Sequence, residues 1–168
     1  MKEPVAFSLG SNLGDREAYL KEAVRKLAVE LGGARVSSLW ETEAVEVAEP
    51  QPAYLNLCVA GESDREPREL LELCVRLEAE AGRRGGHLAP RVLDVDLLFI
   101  GQRRLDEPDL VLPHPGLARR RFVLAPLAEL MADWAHPAGG LRVREMLEAL
   151  GTEQEIRLVK SLKDWWNG

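Results

Sequence analysis

From Asp15 to Leu31 apolar side chains fall at positions 20, 23, 24, 27, 28 and 31, the three-and-four spacing that lays one stripe along a helix. Asp15 is placed to cap its start and Gly32-Gly33 to end it. Before it, Val5 to Leu9 reads as a short strand closed by the turn Gly10-Ser11-Asn12-Leu13-Gly14. After it, Arg35 to Thr42 reads as a second strand, Glu43 to Ala53 as a loop, and Tyr54 to about Glu62 as a third strand. Asp64 can cap a second helix with Pro67 in its first turn, where a missing N–H does no harm. Leu70, Leu71, Cys74, Leu77 and Ala81 line the buried side of that helix, and Gly82 closes it. Arg83 to Ala89 then reads as a flexible segment, and Pro90 to Ile100 as a strand.

The order strand-helix-strand-strand-helix-strand is the ferredoxin-like split-βαβ arrangement of the α+β class, an antiparallel sheet with two helices on a face. Beyond Gly101 come C-terminal additions: a Pro-rich loop, a helix near Phe122 to Met131, and another near Val143 to Leu150. Residues 153–168 form an extension that reads equally as a strand or a docked segment. No repeat or linker divides the chain, so one domain over residues 1–168 is expected.

The strand "PRVLDVDLLFI" changes the picture from scaffold to chemistry. Alternation puts Leu93, Val95, Leu97 and Phe99 on one apolar face. Asp94 and Asp96 then share the other face, between Val92 and Leu98, roughly 6–7 Å apart along the strand. Two like charges that close repel unless something positive lies nearby. One reading is an edge strand with a wet polar face. The other is a magnesium site, in which paired carboxylates hold the ion while phosphates and water complete its octahedron.

Charge bears on that choice. The chain has 168 residues, 46% of them hydrophobic and 30% charged, with a net charge of −6. That is ordinary for a soluble globular protein and argues against a general nucleic-acid binder. Yet Arg83, Arg84, Arg91, Arg103, Arg104, Arg119, Arg120 and Arg121 flank the aspartate pair on both sides. Arginine suits forked contacts to phosphate oxygens, and carboxylates with arginines make a phosphoryl-transfer constellation. The Met-Lys-Glu-Pro start is not a signal peptide, and no apolar run approaches membrane-spanning length. Cys58 and Cys74 lack metal or redox spacing and read as reduced core thiols. A cytoplasmic protein is expected.

Five stretches occur in order: "FSLGSNLGDR" at 7–16, "YLN" at 54–56, "RLEAEAGR" at 76–83, "APRVLDVDLLFIG" at 89–101 and "LPHPGLARRRFVLAPLAEL" at 112–130. Together they resemble the 6-hydroxymethyl-7,8-dihydropterin pyrophosphokinase family over roughly residues 7–150. The resemblance implies transfer of the β,γ-pyrophosphoryl unit of ATP, as co-substrate, to the hydroxymethyl oxygen of a reduced pterin, with AMP released. It implies two Mg²⁺ ions on Asp94 and Asp96, and phosphate-binding arginines at Arg83 and Arg91 beside a closing loop. Glu78, His114 and Arg120 match further nucleotide positions; on spacing alone, Glu78 is a solvated helix glutamate. Thr42, Val45, Tyr54, Asn56 and Phe122 match the pterin pocket, and Leu88 stands where the family carries a tryptophan. The expected partners are small molecules, with neither nucleic acid nor membrane, and the expected state is a monomer, with a dimer as the alternative. Two other readings stay open: a two-metal phosphoryl or nucleotidyl transferase with another acceptor, and a non-catalytic nucleotide-binding module.

Overall fold

In the computed structural model, which describes residues 1–43, 52–82 and 92–166, β1 (Glu3–Ser11) sits inside a six-stranded antiparallel sheet. On one side of β1 lies β5 (Asp94–Ile100), and on the other β4 (Tyr54–Ser63). Both β2 (Gly32–Val36) and β3 (Leu39–Thr42) pair with the far side of β4, and β8 (Ile156–Lys160) pairs with β3. This is the α+β, ferredoxin-like order expected from the sequence. A small hairpin, β6 (Leu105–Glu107) and β7 (Leu110–Leu112), follows β5.

Side chains along β1 alternate between two cores, as strand geometry demands. Val5, Phe7 and Leu9 face α1 (Arg16–Ala28) and α2 (Pro67–Glu80), where Leu20, Val24, Leu27, Leu70 and Leu77 are buried with them. Ala6 faces a second core with Cys58, Leu124 and Leu127, under α3 (Arg121–Met131) and α4 (Val143–Leu150). Helices thus cover both faces, and removal of this apolar surface from water is the main force holding the layers together. Both cysteines are free and buried. Among the described residues, no helix is long and apolar enough to cross a membrane.

Several boundaries move from their expected places, each for a local reason. Asp15 caps α1 by accepting the Ala18 N–H at 3.1 Å, but the helix stops at Ala28 and the glycines instead open β2. The cap of α2 is Glu66 rather than Asp64, because Glu66 and Glu69 exchange side-chain and backbone contacts in a capping box. Leu73 and Glu78 are buried there, whereas Leu71 and Ala81 are half-exposed. The single strand expected over Arg35 to Thr42 is two strands. The Ser37 hydroxyl accepts the Cys58 N–H at 2.9 Å and donates to the Ser38 carbonyl at 2.9 Å, taking a ladder position for a side chain. Residues after 153 resolve the open choice in both ways. They add β8 to the sheet edge and then α5 (Leu162–Trp165), whose Trp165 is 2% exposed and donates its indole N–H to Ser37 O at 3.1 Å.

The largest correction lies in β5. Against β1 the register runs Phe7 to Leu97 and then Ala6 to Phe99, so Leu98 is an extra residue in the ladder. Leu93, Val95 and Leu97 join the α1/α2 core as expected, but Phe99 turns with Leu98 to the other core. There Phe99 stacks on Trp134 at 3.8 Å between ring centroids.

Candidate active site

The register of three strands lays the candidate residues along one line. Gly10 of β1 stands opposite Asn56 of β4 on one side and Asp94 of β5 on the other. One step along, Ser8 stands between Cys58 and Asp96. Alternation points this row toward the α3 side of the sheet. A Cβ on Gly10 would fall 3.1 Å from Asn56 Oδ1 and 3.4 Å from the Tyr54 ring. A glycine inside a strand marks such a close approach, and here it keeps the floor between Asn56 and Asp94 flat.

One wall rises from β3 and β4. Thr42 pairs with Tyr54, and the Asn56 side-chain amide donates to Thr42 Oγ1 at 2.9 Å. Asn56 is only 3% exposed, so this contact fixes the amide and leaves its carbonyl oxygen next to Gly10. The approach to Tyr54 is tied down from the β1–α1 turn. Asn12 donates to Pro52 O at 3.3 Å, and Arg16 donates to Ala53 O at 2.7 Å and to Glu41 at 2.9 Å. Above this wall, Cys58 Sγ donates to Val123 O at 3.5 Å, which sets the first turn of α3, and with it Phe122, over the same face.

The other wall rises from β5 and the loop after β7. Asp94 and Asp96 are half-buried. The backbone N–H of His114 donates to Leu98 O at 2.8 Å, which docks the loop on the bulge. His114 Nδ1 accepts the Gly116 N–H at 3.0 Å, so a neutral ring carries its proton on Nε2. That atom lies 3.8 Å from Asp96 Oδ2. Burial, helped by the Arg120 charge and opposed by Asp94, pulls the histidine down to about 4. At neutral pH the ring is therefore an uncharged donor, and its closeness to Asp96 is not an ion pair. Arg120 Nη1 is 4.0 Å from the same carboxylate oxygen, and its guanidinium lies 5.7 Å from the centre of the Phe122 ring. Arg119 instead turns back to Pro115 O and Arg121 to Gln154 O. Among these three arginines, Arg120 is the one that faces the aspartates.

Glu78 departs from the solvated glutamate that spacing suggests. It is 7% exposed, and its carboxylate accepts the N–H of Val95, the residue between the two aspartates, at 2.8 Å. Burying it without such a partner would be costly. Val45, Arg83, Leu88 and Arg91 lie outside the described residues. Sequence reading missed Gly10, Asn12 and Arg16 as site-shaping residues, although all three stand inside "FSLGSNLGDR"; a glycine between strand residues was the signal for the first.

Among the described residues, no three His, Cys, Asp or Glu side chains gather as a metal cluster. Two carboxylates on one strand face do not make a zinc site, which wants three or four protein ligands, mostly histidine and cysteine. They do suit magnesium, which keeps one or two carboxylates and fills its octahedron with phosphate oxygens and water.

The chain is similar to known proteins over most of its length. A protein of Bacillus subtilis named 2-amino-4-hydroxy-6-hydroxymethyldihydropteridine pyrophosphokinase is 43% identical over 128 residues, covering 73% of this chain and 75% of its own. Its namesake from Synechocystis sp. is 38% identical over 143 residues, covering 83% of this chain and 72% of its own. A solved structure of a triple variant of Plasmodium falciparum HPPK-DHPS shares the fold, with a TM-score of 0.67 over 89% of this chain at 13% identity; this chain spans 44% of that one. The family model for 7,8-dihydro-6-hydroxymethylpterin-pyrophosphokinase (HPPK) matches residues 6–132. That match runs from β1 to just past α3, takes in both walls and the glycine floor between them, and places the chain in the HPPK family.

Proposed function

We propose that this chain transfers the β,γ-pyrophosphoryl group of ATP to the hydroxymethyl group of 6-hydroxymethyl-7,8-dihydropterin, forming AMP and the pterin diphosphate of folate synthesis. A bond forms from the hydroxymethyl oxygen to the β-phosphorus as that hydroxyl gives up its proton to solvent, and the bond from the phosphorus to the α,β-bridging oxygen breaks, its electron pair leaving with AMP. The observation that carries the reading is the line Asn56–Gly10–Asp94 across three paired strands. It sets an amide able to read a heterocycle one strand away from a carboxylate able to hold a metal, with a glycine as the strand residue between them.

In this reading Thr42, Val45, Tyr54, Asn56 and Phe122 bind the pterin. The Asn56 amide is held by Thr42, so its remaining groups meet the ring edge at little cost in side-chain entropy. Asp94 and Asp96 would hold the magnesium ions. When bound, these would neutralise triphosphate charge and polarise the phosphoryl oxygens. His114 offers Nε2–H, and Arg120 a fixed cation, to phosphate oxygens beside Asp96, donors that need no reorganisation as charge develops. Arg83 and Arg91 are assigned to the phosphates by their motif positions alone, and Glu78 supports the strand between the metal ligands. The reading extends to a single pyrophosphokinase domain over residues 1–168, working as a cytoplasmic monomer on small molecules.

Product analysis with ATP, Mg²⁺ and the reduced pterin tests this. AMP appearing in step with a pterin diphosphate is the expected result. ADP in its place would mean attack at the γ-phosphorus and a different transferase.

A further inference from the structure

We infer that Gly116 is a positioning residue for nucleotide binding, because its missing side chain is the seat of the Arg120 guanidinium. A Cβ built on Gly116 would lie 2.6 Å from Arg120 Nε, 2.7 Å from Cζ and 3.1 Å from Cδ. The three nearest heavy atoms all belong to that one side chain, and real Cβ atoms essentially never come as close as the first two. The need for glycine is therefore spatial. Its backbone is in the right-handed region, with φ −85° and ψ −7°, where alanine carries no strain.

Gly116 also serves the other donor on this wall, since its N–H holds His114 Nδ1 at 3.0 Å. One buried residue thus aims two groups at Asp96: the imidazole through its amide, and the guanidinium through the room it leaves. The guanidinium rests against Gly116 and near the Phe122 ring, 5.7 Å from its centre, and these supports keep Nη1 4.0 Å from Asp96. An added methyl group must push the arginine off this seat. Because the clashing atoms are the far end of a flexible side chain, the arginine moves and the fold stays. Alanine keeps the N–H, so the substitution moves Arg120 and leaves the His114 hydrogen bond in place.

This rests on the pyrophosphokinase reading and deepens it, and a double-mutant cycle separates the two. Wild type, Gly116→Ala, Arg120→Ala and the double variant are compared by calorimetric affinity for Mg-ATP, by kcat and pterin KM, and by thermal unfolding. Gly116→Ala is expected to weaken ATP binding roughly 10-fold, the worth of one charge-assisted hydrogen bond, with pterin KM and Tm unchanged. In the Arg120→Ala background the same change should do nothing, because no guanidinium remains to displace. Equal losses in both backgrounds, or no loss in the single variant, overturn the inference. Coupled ATP binding in a wild-type protein that forms no AMP supports the positioning role and overturns the reaction.

Discussion

The amide wall and the carboxylate wall stand one strand apart on the same face of the same sheet, yet they are held by opposite means. Thr42, Tyr54 and Asn56 come from two paired strands, and the 2.9 Å contact between Asn56 and Thr42 is made within the ladder, with Asn12 and Arg16 steadying only the stem before Tyr54. Asp94 and Asp96 sit on the edge strand, where like charges two residues apart repel. Their supports come from elsewhere: Glu78 on the Val95 N–H, His114 docked on the Leu98 carbonyl, and Arg120 seated on Gly116. Neutral recognition can be written mostly into strand register. Charged recognition needs an outer scaffold, and here a loop, a helix start and a buried glutamate supply it.

That contrast can be broken most sharply at Asp96. Asp96→Asn keeps the shape, removes a metal ligand and leaves His114 and Arg120 facing an amide; AMP formation is expected to fall by roughly 1000-fold or more. Thermal unfolding should show no loss of stability, since a like charge is gone. Turnover within tenfold of wild type would remove Asp96 from the metal site. On the other wall, Asn56→Ala should raise pterin KM by roughly 100-fold through a lost buried polar contact, with ATP KM unchanged. If both constants rise together, the walls are not separate devices.

Smaller effects sharpen the division. Arg16→Ala releases the stem before Tyr54 and is expected to raise pterin KM about threefold, at a stability cost of ~1 kcal/mol for a partly exposed ion pair. Initial rates and denaturant unfolding on one sample check both. The subtlest test is acid titration of the protein free of nucleotide and divalent cation. His114 sits near 4 in the fold and near 6.5 in the unfolded chain. Between those values the unfolded state binds a proton that the folded state refuses, so stability falls as pH drops from 6.5 to 4. His114→Gln should lose this part of the slope, a difference of a few degrees in Tm on going from pH 7 to 4.5. Identical slopes would show that the ring titrates normally.

Much of this architecture is legible in the chain. The stripe at 20, 24 and 27 gives α1, and the shared face of Tyr54 and Asn56 follows from spacing two. The bulge at Leu98 is not legible, because Leu98 and Phe99 are both apolar and either could face either core. Nor is the break at Ser37, which exists because its hydroxyl meets the amide of Cys58, 21 positions away. Gly116 reads as a turn residue until Arg120 is seen against it. For Ser37 and Leu98 the deciding partner lies far away in the chain; for Gly116 it lies four positions on, but spacing alone does not tell that the Arg120 side chain folds back over it.

The strand β8 carries a consequence for how the molecule is made. Thr42, on the amide wall, belongs to β3, whose outer edge is covered by residues 156–160, and Arg157 closes on Glu41 across 116 positions of chain. Chains emerge from the ribosome N-terminus first, at some 5–20 residues each second. For several seconds, then, a nascent chain holds β1, β4 and β3 with the β3 edge bare and the space beside Ser37 unplugged by Trp165, a template for pairing with any neighbouring strand. That edge is covered only once β8 and Trp165 have been made.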